Sequence, residues 1–431
     1  MRVLICASGT VGDVHPLVGV AHAMRERGHE VILLANEAYA PLAEEAGVQF
    51  EPVGKPEELQ TIKNNPKAWT YKHGWKLWVQ GAGVAPMPDL YRAIEKLHRP
   101  GETILAGAYL CFGARVAAEK LDIPYATIHL NVHTIRTVYN IFAFPPPAWL
   151  PDCLPRSYLM SQWEPIWSRR LWLWLAEKFF IDPVMRKPIV RFRKTLGLPP
   201  LRTSIREWWN SPQRIIGLFP DWWAGEHPDW PKSVITTSFP FWAAGQKVEL
   251  GSELRQFLDE AERDTVSGWR KVIVFTPGAS ATHTATHFMA FERACASLGY
   301  CGLVITSEPP PAETSSHVRY ERYVPFQQLL SHVAAVVHHA GIGTSAYCLA
   351  AGIPQVVIPT LYNQPDSAVR LKRLGVAAEI RAERFNERRL THALESVLRS
   401  PAVRARCEDY ACRLRDVDPY PQACDELEAL A

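Results

Sequence analysis

Two short stretches hold the residue types best able to do chemistry. In VVHHAGIGTSAYCLAAGIPQVVIPTLYNQPDSAVRL (residues 336–371) a buried apolar run ends at His338 and His339, a turn holding Gly341 and Gly343 follows, and helical spacing starts near Thr344. A helix start with free amides and a positive dipole end attracts phosphate. Gly341 and Gly343 would let the backbone approach a diphosphate closely, and Thr344 and His339 could donate hydrogen bonds to it. A plain strand–turn–helix with two buried histidines reads the same way, and the turn alone does not decide. The second stretch is SGTVGDVHP (residues 8–16), a Gly-containing loop that carries Asp13 and His15. Here the bland reading is that Asp13 caps a helix starting near Pro16 and His15 packs.

These loops need strands and helices to hold them. Arg2 to Ala7 and Glu30 to Ala35 read as buried strands around the helix Leu17–Arg27, which Gly28 closes. Further units follow at Thr103–Ala106, Phe112–Leu121, Tyr125–His129 and Gln213–Phe219. After a linker placed at 240–246 come strands Lys271–Thr276, Gly302–Thr306, Ala334–His338 and Gln355–Ile358, helices Thr286–Leu298 and Ser345–Ala351, and a helical stretch from Glu387 onward. Alternation of this kind means parallel sheets with right-handed crossovers, and ligands at the strand C-termini. The expected fold is α/β: two facing Rossmann-like, doubly wound domains with a cleft between them. Residues 1–240 form the acceptor-binding domain, 241–410 the donor-binding domain, and 411–431 a helix returning to the first.

Composition fits 431 residues in two domains: 47% apolar, 21% charged, net charge +3. No electrostatic case for nucleic acid exists. Nine scattered cysteines, with no CxxC pair or zinc-type spacing, suit reduced thiols in a cytoplasm. Neither a leader peptide nor a membrane span is expected. Thirteen of the fifteen tryptophans fall between Trp69 and Trp230. That concentration implies a wide aromatic-lined cavity or a face resting on lipid. The stretch 164–181 reads as a core-facing helix in preference to one lying on a membrane.

The 336–371 stretch resembles the donor signature of the family 1 UDP-glycosyltransferases (GT-B fold), HHGGAGT followed by AGVPQ, P, and an acidic residue with Gln. His338, His339, Gly341, Gly343, Thr344, Ala351–Gln355, Pro359 and Gln364 carry the match. The resemblance implies that His339 and Thr344 hold the diphosphate, and that Asn363 and Gln364 hold sugar hydroxyls. Ala340 replaces a common Gly, and Asn363 stands where Asp or Glu is usual, which leaves the sugar open. RYVPFQQLL (322–330) resembles the stretch that cradles the base and ribose: Tyr323 stacks on the base, the Val324 backbone reads its edge, and Gln327 reaches the ribose. Pro277–Ser280 resembles the Gly-Ser loop near the phosphates, with Ser280 a donor contact; Gly12 is a further one. The opening loop resembles G-S-x-G-D of the branch that glycosylates glycopeptides and lipids, where the Asp is general base. Asp13 is therefore the first candidate and His15 the second. The run NSPQRIIGLFPDWWAGEHPDWP…SFP (210–240) resembles the rhamnosyltransferases of rhamnolipid synthesis. That implies a deoxysugar on a thymidine nucleotide and a hydroxyalkanoyl lipid acceptor, with contact at the membrane's inner face.

The expected reaction is in-line, inverting transfer of a sugar from a TDP- or UDP-sugar to a hydroxyl, with no metal and no further cofactor. A glycosyltransferase of an aromatic or polyketide secondary metabolite is the alternative acceptor class. A nicotinamide oxidoreductase (Gly9, Gly12 and Glu37, but no third Gly), an epimerase and a non-catalytic lipid-binding or scaffold protein are the readings of other classes. Oligomeric state is not legible.

Overall fold

The computed structural model describes residues 1–70, 73–139, 165–241, 249–263, 272–278, 285–311, 314–361, 363–418 and 420–431. They divide into two compact units, one built mainly on Met1–Phe142, Pro151–Gln246 and Asp418–Ala431, the other on Lys247–Val417. The linker expected at 240–246 and the AFPPPAWLP segment fall mostly or wholly outside the described residues.

The first unit is built on β1 (Arg2–Cys6), β2 (Glu30–Ala35), β3 (Gln49–Pro52), β4 (Thr103–Ala108), β5 (Tyr125–His129), β6 (Arg214–Gly217) and β7 (Val234–Thr236). They form one parallel sheet in the order β3-β2-β1-β4-β5-β6-β7. The central strands are buried along their whole length, because helices cover both faces of a parallel sheet. Winding reverses between β1 and β4, so the loops after these two strands part and leave a crevice for ligands. The helix Tyr420–Glu428 is held on this unit by Arg27, which meets Asp425 at 2.6 Å and Glu428 at 2.9 Å, and by Arg214–Glu426 at 3.0 Å.

The second unit holds β8 (Val272–Thr276), β9 (Cys301–Ile305), β10 (Val318–Glu321), β11 (Val333–His338), β12 (Gln355–Val357) and β13 (Ala377–Glu379), parallel in the order β10-β9-β8-β11-β12-β13. Along β8 the side chains alternate between two cores: Ile273 and Phe275 pack with Phe288 and Phe291, Val272 and Val274 with Leu254 and Leu258. The reversal lies between β8 and β11, whose following loops carry Gly278 and His339–Gly341.

Two expectations need correction. The first helix starts at Val11, not Leu17, because Thr10 and Asp13 cap it; Pro16 sits inside, forgoing one bond to the Gly12 carbonyl. The stretch 164–181 is not core-facing. Its helix Ile166–Ala176 and the following π-turn Glu177–Ile181 bury Arg169, Leu173 and Glu177, and turn Trp167, Trp172, Trp174, Phe179 and Phe180 outward. Burial of Glu177 is tolerable because Arg136 bonds it at 2.9 Å. Among the described residues no helix is long and apolar enough to cross a membrane.

Candidate active site

In the second unit β11 delivers His338 and His339 to the turn, and only one of them is free to meet a ligand. His338 is fully buried; its Nδ1 accepts the Ala340 N–H at 3.2 Å, which leaves the proton on Nε2 for Gln355 Oε1 at 2.9 Å. Burial, with a smaller push from His339, lowers its pKa to about 3. It is a neutral strut that ties the turn to β12.

His339 is half-buried, and its ring fills a slot between two glycine turns. A Cβ on Gly278 would meet its Cε1 at 2.5 Å, and one on Gly341 its Nε2 at 2.4 Å. Burial lowers its pKa to about 4 against a smaller opposing pull from the Thr276 backbone, and Nδ1 has no well-formed hydrogen bond. The ring is therefore neutral at pH 7 and able to donate one N–H. Ala340 adopts φ +63, the left-handed conformation that explains why Gly is common at this place.

Gly341 then starts the helix Ile342–Ala350 with no side-chain cap and no acid in its first turn. The amides of Ile342, Gly343 and Thr344 have no intrahelical acceptor, while Ser345 returns both its N–H and its hydroxyl to the Gly341 carbonyl at 2.9 Å. Gly343 is exposed, with nothing within 4 Å of a would-be Cβ, and Thr344 is half-buried beside it. Three unspent amides, a hydroxyl and an imidazole N–H thus line one turn, the donor set a diphosphate needs.

Tyr323 stands 73% exposed near Tyr347 of that helix, whose pKa is raised by burial and then by Tyr323; Phe326 lies 6.2 Å from the Tyr347 ring. Val324 is buried among Leu329 and Leu330, so only its backbone can reach a base, and Gln327 is exposed. Gln364 does not match its expected role fully. Its Oε1 accepts from Thr360 N, Thr360 Oγ1 and Leu361 N at 2.8–2.9 Å, so its carbonyl end is spent on holding the turn. Asn363 is half-buried just before it. Ser280 lies outside the described residues.

In the first unit Asp13 occupies the third position of its helix and accepts Thr10 N–H and Thr10 Oγ1–H, both at 2.8 Å on Oδ2. Capping is thus one of its tasks. Gly9, at φ +118, makes room for it: a Cβ there would stand 2.6 Å from Oδ2. Burial raises the Asp13 pKa, with the two Thr10 bonds opposing. Tyr39 and Tyr109 are both pushed up by burial and by the Asp13 charge, and Tyr39 donates to the Gly9 carbonyl at 2.9 Å. His15 is half-buried and burial lowers its pKa, so it is a neutral base. Two residues on along a helix, it does not face the way Asp13 does. Gly12 is exposed in the first turn.

Beside this loop lies a small hollow of about 40 Å³, lined by Ser8, Gly9, Tyr39, Glu58, Leu59, Ile62, Gly81, Gly83 and Cys111 among others. Its wall is the π-turn Val79–Val84, a form frequent at functional sites, and Ser8 Oγ donates to the Ala82 carbonyl there. The wall is aliphatic and glycine-rich, with Tyr39 its single aromatic ring. Among the described residues Trp78, Trp208, Trp209 and Trp223 are buried in the core, and none of the four lines this hollow. Thr10, Tyr39 and Tyr109 were not expected, and Gly278, inside the Pro277–Ser280 loop expected near the phosphates, packs against His339. The Thr10-x-x-Asp13 capping spacing was the available signal for the first.

Known proteins match both halves. The glycosyltransferase family 28 N-terminal domain matches residues 3–140, and the erythromycin biosynthesis protein CIII-like C-terminal domain matches residues 304–429. O-mycaminosyltylonolide 6-deoxyallosyltransferase of Streptomyces fradiae is 27% identical over 427 residues, covering 94% of this chain and 92% of that one. The glycosyltransferase of kitacinnamycin superposes with a TM-score of 0.73 at 20% identity, covering 100% of this chain and 98% of that one. VinC, solved in complex with dTDP, gives 0.67 at 18%, covering 100% and 99%. With two parallel Rossmann-like sheets, the fold is GT-B. The chain is a GT-B glycosyltransferase of the family 1/28 type, erythromycin CIII-like in its C-terminal domain.

Proposed function

We propose that the chain moves a sugar from a thymidine- or uridine-diphosphate sugar onto a hydroxyl of an apolar small-molecule acceptor, a polyketide, macrolide or aromatic secondary metabolite. The observation that carries this is the uncapped start of the helix Ile342–Ala350, with neutral His339 wedged beside it. The helix amides, Thr344 and His339 hold the diphosphate and stabilise it as it leaves, and Tyr323 backs the base. The dTDP complex of VinC supports thymidine as the base. Asp13 takes the acceptor proton while the hydroxyl attacks the anomeric carbon in line, with inversion and without a metal. The bond to the diphosphate oxygen breaks as the new glycosidic bond forms, and the proton ends on the carboxylate.

The relatives favour this acceptor class over the hydroxyalkanoyl lipid: the Streptomyces fradiae enzyme is named for transfer to a tylonolide. The aliphatic wall beside Gly9 and Tyr39 supports an apolar acceptor and does not separate the two kinds. The test has two steps. Calorimetry with thymidine and uridine diphosphate should show binding of at least one. Labelled nucleotide sugars with hydroxylated macrolide, aromatic and hydroxyalkanoyl acceptors should then give products of the first two. No binding of either diphosphate overturns the donor assignment, and transfer to the lipid alone overturns the acceptor assignment.

A further inference from the structure

The helical stretch Ile166–Ile181 is turned inside out. Its inward row, Arg169, Leu173 and Glu177, recurs every four residues, and two of the three are charged. Outside, Trp167, Leu171, Trp174 and Lys178 follow at i, i+4, i+7 and i+11, a single stripe of a helix. Trp167 is 69% exposed and Phe180 68%, with Trp172, Trp174 and Phe179 also in solvent. A contiguous patch of large aromatics over a charged interior is the mark of a surface built to be covered.

The charges identify the cover. Between residues 165 and 202 the exposed charged side chains are Arg170, Lys178, Lys187, Arg191, Lys194 and Arg202, all basic. The two acids of that stretch are turned in: Glu177 to Arg136, and Asp182 to the Ile205 N–H at 3.1 Å and Arg186 at 3.4 Å. Lys178 lays its stem along the patch, Nζ 4.5 Å from the Trp174 ring centre. Protein interfaces are depleted in lysine, whereas tryptophan with lysine and arginine, and no acid, suits the headgroup region of an anionic bilayer.

We propose that the outer face of Ile166–Ile181 lies flat on an anionic lipid bilayer and docks the enzyme there peripherally. The test is flotation of the full chain with phosphatidylcholine vesicles, with and without phosphatidylglycerol. The chain should float with the anionic vesicles and lose that association in high salt. Trp167→Ser with Trp174→Ser should reduce association at least about tenfold while the melting temperature stays that of the parent chain. Arg170→Gln with Lys178→Gln should reduce it about thirtyfold on anionic vesicles. No flotation of the parent chain overturns the proposal, as does equal flotation of the Trp pair. A dimer in light scattering that the Trp pair dissolves, without vesicle binding, overturns it in favour of a second copy.

Discussion

Gly278→Ala puts the donor site to its hardest test. The residue sits at φ +80, where an alanine backbone costs about 1–2 kcal/mol. Its new methyl would stand 2.5 Å from Cε1 and 2.6 Å from Nδ1 of His339. Carbon contacts settle at about 3.5–4.0 Å, so the imidazole must retreat by about 1 Å. On its far side the ring already lies against the Gly341 backbone. Over-packing of this sort adds about 1–3 kcal/mol, which makes about 2–5 kcal/mol for the turn as a whole. That cost falls on folding; if the ring supplies a hydrogen bond to the diphosphate, its retreat forfeits about 1.5–3 kcal/mol and weakens thymidine diphosphate binding at least about tenfold. Gly299→Ala is the control: φ is +75 there, but nothing lies within 4 Å of the methyl, so the backbone cost comes without the ring clash. Titration calorimetry and thermal unfolding of both variants separate the terms. Gly278→Ala binding within twofold of the parent chain, or Gly299→Ala weakening binding as much, refutes the role given to the slot.

Asp13→Asn keeps an acceptor for the Thr10 N–H, so it should lose at least about 10²-fold in turnover while diphosphate affinity and melting temperature hold; near-normal turnover removes Asp13 from the mechanism. Because burial raises the Asp13 pKa and the base acts ionised, kcat/KM should fall on acidification through a value above the usual carboxylate range, seen as the acid limb of the pH profile. The same shift has the opposite sense for folding. Asp13's contribution to stability is full below the usual carboxylate pKa and is lost as pH rises through the raised value. Ala340→Gly relieves about 1–2 kcal/mol of left-handed strain and costs about 0.5–1 kcal/mol of chain entropy, so urea unfolding should show a gain of up to about 1.5 kcal/mol. Asp366→Asn should lower stability in urea unfolding by about 3–5 kcal/mol, because it breaks the buried ion pair with Arg370 at 2.8 Å.

The strands were legible because a parallel sheet covered on both faces writes itself as short, mainly apolar runs, and β4, β5, β8 and β11, buried throughout, all do so. What stayed hidden depends on partners far along the chain. The slot around His339 needs Gly278, sixty-one residues earlier, and no local pattern joins them. The polarity of the Ile166 helix follows from Arg136 and Arg206 drawing Glu177 inward, which hydrophobic periodicity cannot register. The run 210–240 shows why a branch resemblance need not report a substrate. Asn210 bonds His129 at 2.7 Å, Ser211 the Tyr125 carbonyl at 2.5 Å, Gln213 the Tyr125 N–H at 2.7 Å, and Asp229 the Thr137 hydroxyl at 2.6 Å. These residues pin the ends of β5 and β6, so their likeness tracks a scaffold rather than an acceptor.

The two units set the same strand–turn–helix at their switch points and give it opposite electrostatic uses. In the first, the helix start is answered from within: Asp13 places a carboxylate at its third position, where it meets the positive end of the dipole and two Thr10 donors. A dianion brought there would meet a resident negative charge. In the second, the first turn holds no acid and no side-chain cap, and the nearest titratable group, His339, is neutral and can donate. We therefore assign the diphosphate, in the proposed function, to the second start. The same proposal leaves the first start with what an attacking hydroxyl needs and a leaving diphosphate does not: a carboxylate made more basic by burial and held by hydrogen bonds at one oxygen.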